Sequence, residues 1–124
     1  MATFPAGILK SFDDTKVVDI ETRSANGTKH LIPIWIMVVD GVPYVRSVNG
    51  PAGRWYRELL AQGEGAVVVA GKRIPVRATK DSSAKSIEAV SAALRKKYPR
   101  SGQSLQSMLR ANVLDTTVRL EPAE

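Results

Sequence analysis

Between Lys16 and Arg23 the chain alternates: Val18, Ile20 and Thr22 fall on one face, and Val17, Asp19, Glu21 and Arg23 on the other. A period of two predicts a strand with one buried face. Ser24 to Lys29 contains the turn dipeptide Asn26-Gly27, so this strand is expected to hairpin into the next. That next strand, Leu31 to Val39, is apolar almost throughout, as in a strand covered on both faces. Pro33 cannot donate to a ladder, so the strand must be an edge or be bulged there. Asp40-Gly41 then gives the strongest short-range hairpin signal, leading into a third strand, Val42 to Val48. Along it Val45 and Ser47 share one face, Tyr44 and Arg46 the other.

The period then changes. Asn49 to Gly53 reads as a bend, and Arg54 to Gln62 as a helix whose Trp55, Tyr56, Leu59 and Leu60 form one apolar stripe ended by Gly63. Ala66 to Ala70 and Arg73 to Thr79 make a second hairpin over Gly71-Lys72. From Ser82 to Tyr98, with Ile87, Val90 and Leu94 in step, the pattern is helical, capped by Asp81 or Ser82 and followed by Pro99. Leu105, Met108 and Leu109 suggest a short helix, and Val113 to Leu120 a closing strand with Thr116, Val118 and Leu120 on one face. Residues 1–15 read as a frayed arm or a short helix. The order β-β-β-α-β-β-α-α-β predicts an α+β fold: a small, mostly antiparallel β-barrel with two or three flanking helices.

At 124 residues, without repeat or linker, the chain is expected to be a single domain that buries about two thirds of its unfolded surface. It has no cysteine and one histidine, which excludes disulfides and the usual zinc and copper ligand sets. No metal site is expected. No signal peptide is legible, and no stretch approaches the roughly 18 apolar residues of a membrane span; a soluble, cytoplasmic protein is the expectation. The net charge of +6 favours anionic partners, but the cations are scattered, with Arg95-Lys96-Lys97 their densest run. Aromatic residues make up only 6% and form no stacking platform in the strands, so nucleic acid is disfavoured as a partner.

No H-E-x-x-H, P-loop, G-x-G-x-x-G or G-x-S-x-G motif occurs, and no catalytic residue can be assigned. If the protein is an enzyme, a bound cofactor carries the chemistry. The residues suited to hold one cluster in two places. Arg23, Thr28, Lys29 and His30 flank the first turn and bring cations and hydroxyls to one rim, where charge-assisted bonds to phosphate are strong. Ser47, Asn49, Gly50 and Gly53 offer a hydroxyl and backbone N–H groups just before a helix N-terminus. Each cluster read singly is also an ordinary polar turn.

From Lys16 to Thr79 the ordered set Thr22-Arg23, Gly27, Pro33, Asp40-Gly41, Tyr44-Val45, Ser47, Gly50, Trp55-Tyr56, Leu59 and Val76-Arg77-Ala78 resembles the FMN-binding split-barrel superfamily (pyridoxamine phosphate oxidase-like). Within it the chain is most similar to the deazaflavin-dependent nitroreductase branch and a related family of uncharacterised bacterial proteins. The resemblance implies a split β-barrel, often a homodimer, with FMN or a deazaflavin in a groove beside strands two and three and a small organic substrate reduced through it. Arg23, Thr28, Lys29 and His30 would meet the phosphates. Pro33, Ile34 and Trp35 would face the ring, with Ser47, Asn49 and Gly50 nearby; Trp55 and Tyr56 would wall the pocket or pack the core. The chain departs from the branch where RSANG replaces a GRKSG-like run, where Glu58 replaces Asn, and where Trp35 is bulky enough to stack on the ring or block it. A second reading is a split barrel without cofactor that binds a small ligand or a protein.

Overall fold

The computed structural model describes residues 3–123. Seven strands, β1 (Val18–Arg23), β2 (Lys29–Ile34), β3 (Met37–Val39), β4 (Val42–Val45), β5 (Glu64–Val69), β6 (Lys72–Lys80) and β7 (Val118–Pro122), form one antiparallel sheet in the order β2-β1-β5-β6-β7-β4-β3. Five helices flank it: α1 (Ala6–Asp14), α2 (Arg54–Gln62), α3 (Ala84–Lys97), α4 (Gly102–Met108) and α5 (Ala111–Leu114). This is an α+β split barrel with more helical segments than the two or three expected. Among the described residues no helix is long and apolar enough to cross a membrane.

The two outermost strands, β2 and β3, are neighbours in sequence, joined only by Trp35 and Ile36. Laid flat, seven strands would hold them about 29 Å apart, whereas three peptide links reach about 11 Å. The sheet therefore has to curl until its ends approach. The apolar run from Leu31 to Val39, expected as one strand, is broken by this join. It is also not covered on both faces: in β2, Lys29, Leu31 and Pro33 are exposed while His30, Ile32 and Ile34 turn inward. Pro33 sits on an edge strand paired only with β1, where its missing N–H is tolerated.

The inner face of the curl is filled by Phe12, Ile20, Ile36, Val45, Leu59, Val67, Val76 and Leu120. Helix α1 resolves the choice left open for the N-terminal arm: it is a helix that contacts β3 and β4 and buries Phe12 edge-on against Phe4. Residues 1–2 of the arm lie outside the described residues. A second core gathers on the other face of β3 and β4, where Met37 and Tyr44 meet Val90 and Leu94 of α3, Tyr98 at its C-terminal end, Leu105 and Met108 of α4 and Val113 of α5.

The turn chemistry follows the sequence closely. Asp40 and Gly41 take φ of +50° and +77°, the signs a two-residue type I′ hairpin requires, and Gly63 ends α2 at φ +73°. Two boundaries move. Val69 pairs with Lys72, so the second hairpin turns over Ala70-Gly71 rather than Gly71-Lys72; Gly71 supplies φ +77° as the second central residue and Ala70 accepts +51°. Residues Val113 and Leu114, expected in the last strand, are helical. The Thr116 and Thr117 hydroxyls donate back to the Val113 and Leu114 carbonyls (2.6 and 2.7 Å), satisfying the helix end and delaying β7 to Val118.

Candidate functional site

The join between β2 and β3 builds the wall of a cavity. Trp35 lies flat on Tyr98, ring centroids 3.9 Å apart and planes within 5°. Tyr98 is itself closed in: its hydroxyl donates to the Lys16 carbonyl at 2.7 Å, and burial pushes its pKa up to about 12. Beside it the Lys97 ammonium donates to the carbonyls of Phe12 (2.8 Å) and Ile36 (2.7 Å). Burial lowers Lys97 to about 8, with Asp13 and Asp14 opposing. The last turn of α3 thus pins the join from one side and leaves the rest of Trp35 to the cavity.

That cavity holds about 340 Å³ and is bounded by Ile32, Pro33, Ile34, Trp35, Asn49 and Trp55, with Val48 and the α4 residues Ser104, Ser107 and Met108 across from them. The volume lies within the roughly 300–1,000 Å³ of small-molecule pockets, and the mix of apolar wall and few polar groups suits a flat organic ligand. Of the residues expected around a ring, Pro33, Ile34, Trp35, Asn49 and Trp55 meet here.

The others do not. The Ser47 hydroxyl donates to the Gly50 carbonyl (2.8 Å) and its N–H to Thr116 Oγ1 (3.0 Å), so this buried residue folds the bend before α2. Gly50 serves the same bend at φ +68°, with no room for a Cβ beside Asn112. Tyr56 is buried in the barrel core, edge-on to Trp55.

The expected cationic rim is divided by acids. Lys29 lies 4.0 Å from Glu21, a buried carboxylate gripped through both oxygens by Arg73 (2.6–3.1 Å). His30 Nδ1 lies 3.1 Å from Glu58 Oε1, which also accepts the Thr22 hydroxyl at 2.8 Å. Thr28 is exposed, and its N–H bonds the Asn26 side chain within the turn. Arg23 instead joins Arg54 and Arg57 around a shallow recess of about 240 Å³, next to the same Glu58. Arg54 and Arg57 were absent from the expected set. Their signal was present in the R-x-x-R spacing at the start of α2, which puts both side chains on one flank of the helix.

The other unforeseen residue is Arg46, on the cavity floor. It is only 1% exposed. Nε donates to Thr117 Oγ1 (2.9 Å), Nη1 to Ser91 Oγ (3.0 Å) and the Met108 carbonyl (3.3 Å), and Nη2 to the Ile87 carbonyl (2.8 Å). Burial, with nearby Arg95 adding, pushes its pKa down to about 10, so it stays charged at neutral pH.

Residues 8–120 match the model of a family described as uncharacterised proteins conserved in bacteria, DUF2255. The chain belongs to this family. Among curated proteins, none matches this DUF2255 chain. Its fold is shared with solved split-barrel proteins. A NimC/NimA family protein from Clostridium acetobutylicum superposes with a TM-score of 0.64 at 14% identity, over 94% of this chain and 80% of that one. HutZ, the heme storage protein from Vibrio cholerae, gives 0.64 at 14% over 96% and 90%. An F420-H2-dependent reductase, FDR-A, gives 0.61 at 17% over 86% and 93%. At these identities the likeness establishes the fold alone.

Proposed function

We propose that this DUF2255 protein binds a flavin-type cofactor, FMN or a deazaflavin, in the 340 Å³ cavity and reduces a small organic substrate there. The observation that carries the reading is the cavity itself: the join between the edge strands holds a flat indole wall, apolar Ile32 and Ile34 and a buried guanidinium around one opening, and reductases share the fold. A planar, partly polar ring fits that lining. When bound, such a ring would supply the hydride chemistry. The protein's part is to orient and to exclude water. Trp35, immobilised on Tyr98, and Trp55 would sandwich or abut the ring; Asn49 would hydrogen-bond its polar edge. Arg23, Arg54 and Arg57 would take an anionic tail, since Lys29 and His30 already face Glu21 and Glu58. We include a homodimer in the proposal, because the exposed Leu31 and Val48 beside the opening are the apolar surface a second copy would cover.

The absorption spectrum of the purified protein, before and after titration with FMN and with a deazaflavin, tests the reading. One of the two should bind, and Arg23→Ala with Arg54→Ala should weaken it by about 1–3 kcal/mol for each lost charge-assisted bond. Binding of neither would overturn the cofactor assignment. It would favour the second reading, a split-barrel module for a small ligand without phosphate, which the occupied state of Lys29 and His30 also supports.

A further inference from the structure

Two charged residues are buried among the described residues, Glu21 and Arg46. Glu21 has its opposite charges, Arg73 and Lys29. Arg46 has none: its four bonds run to two hydroxyls and two carbonyls, and no carboxylate stands within ion-pair distance of it among the described residues. Buried charges are ordinarily paired with an opposite charge, whereas Arg46 is desolvated with only neutral acceptors around it. A desolvated cation on the floor of the main cavity leaves that cavity electropositive, with Asn49, Ser104 and Ser107 as the neutral donors around it.

We propose that Arg46 makes the cavity selective for planar ligands bearing an anionic oxygen, a carboxylate or an ionised ring oxygen, so that the ligand brings the counter-charge the fold omits. This rests on the reading of the cavity as the ligand site, not on the ligand being a flavin. The guanidinium has five N–H groups and four bonds account for four of them. The longest, to the Met108 carbonyl at 3.3 Å, is the contact an incoming anionic oxygen replaces. The charged acceptor then gains a charge-assisted bond in a water-poor setting, where such bonds are about twice as strong as neutral ones.

The experiment is calorimetric titration with an isosteric pair, 2-naphthoate and 2-naphthamide, alongside FMN and a deazaflavin. The wild type should bind the acid at least about tenfold more tightly than the amide. In Arg46→Gln that ratio should fall to near one, while Arg46→Lys, which keeps the charge, should retain most of it. A purely structural arginine would change both affinities together and leave the ratio alone. Should Arg46→Gln fail to fold, the Arg46 Nε–H resonance of the wild type decides: at saturation it should shift markedly further with the acid than with the amide. Equal affinity for acid and amide, binding of neither, a ratio that survives Arg46→Gln, or an Nε–H resonance that shifts no further with the acid than with the amide would each overturn the proposal. Failure of both FMN and a deazaflavin to bind, with the acid still preferred over the amide, would overturn the cofactor reading and leave this one standing.

Discussion

Tyr98 joins the stability of the fold to the shape of the cavity, and two substitutions there separate the contributions. Tyr98→Phe keeps the ring under Trp35 and removes only the hydroxyl. It loses the 2.7 Å bond to the Lys16 carbonyl and the marginal 3.5 Å approach to Ile36, whose carbonyl is still satisfied by Lys97. One neutral hydrogen bond lost with one acceptor left to rearrange corresponds to about 1–2 kcal/mol. Tyr98→Ala removes in addition a ring 1% exposed that packs with Leu94, Leu105 and Met108, so about 3–5 kcal/mol should be lost. It also frees Trp35. A parallel stack of this kind contributes about 0.5–1.5 kcal/mol beyond burial, so ligand affinity in the cavity should fall by up to about tenfold. Urea unfolding followed by circular dichroism reads the first quantity, and titration of the folded variant with FMN or naphthoate reads the second. Affinity should be unchanged in Tyr98→Phe. If Tyr98→Ala binds as tightly as the wild type, the stack does not hold the wall and the reasoning fails.

Glu21 sets an acid limit on the sheet. Its bonds from Arg73 hold its carboxyl below the ordinary carboxylate range, so the stabilisation is present above that range and disappears as pH falls through the lower folded-state value. Arg73→Met should therefore move the acid-unfolding midpoint to higher pH, measured by fluorescence against pH; an unmoved midpoint would discount the pair. At the entry to α2, a Cβ on Gly53 would collide with the Ser47 hydroxyl, and Gly53→Ala should cost about 1–3 kcal/mol. Adding Ser47→Ala removes the obstacle, so the double variant should be less destabilised than the sum of the singles; strict additivity in chemical denaturation would count against the clash.

Much of the barrel was legible because its signals are local. Asp40-Gly41 and Gly63 demand positive φ, and Val18, Ile20 and Thr22 alternate with polar neighbours. The break at Trp35-Ile36 was not legible, since every residue around it is apolar and the interruption is imposed by the closure of the sheet. Val113 and Leu114 read as strand because β-branched residues follow them, whereas the hydroxyls of those same threonines finish a helix. Part of the candidate site was anticipated at Pro33, Ile34, Trp35, Asn49 and Trp55, all close to strand ends and bends where pattern and composition change. Arg46 was missed because a single arginine in a strand looks solvated; its acceptors Ile87 and Thr117 lie 41 and 71 residues further along. Lys29 and His30 were expected to be open to a ligand, and the pairing that brings Glu21 and Glu58 against them has no local signature.

The brevity of the link between the first and last staves of the sheet has an evolutionary corollary. In a vessel closed by a two-residue strap, each added link would let the rim relax and the hollow beside it widen. Relatives that carry bulkier guests should therefore differ from this chain in the length of that strap before they differ in the staves.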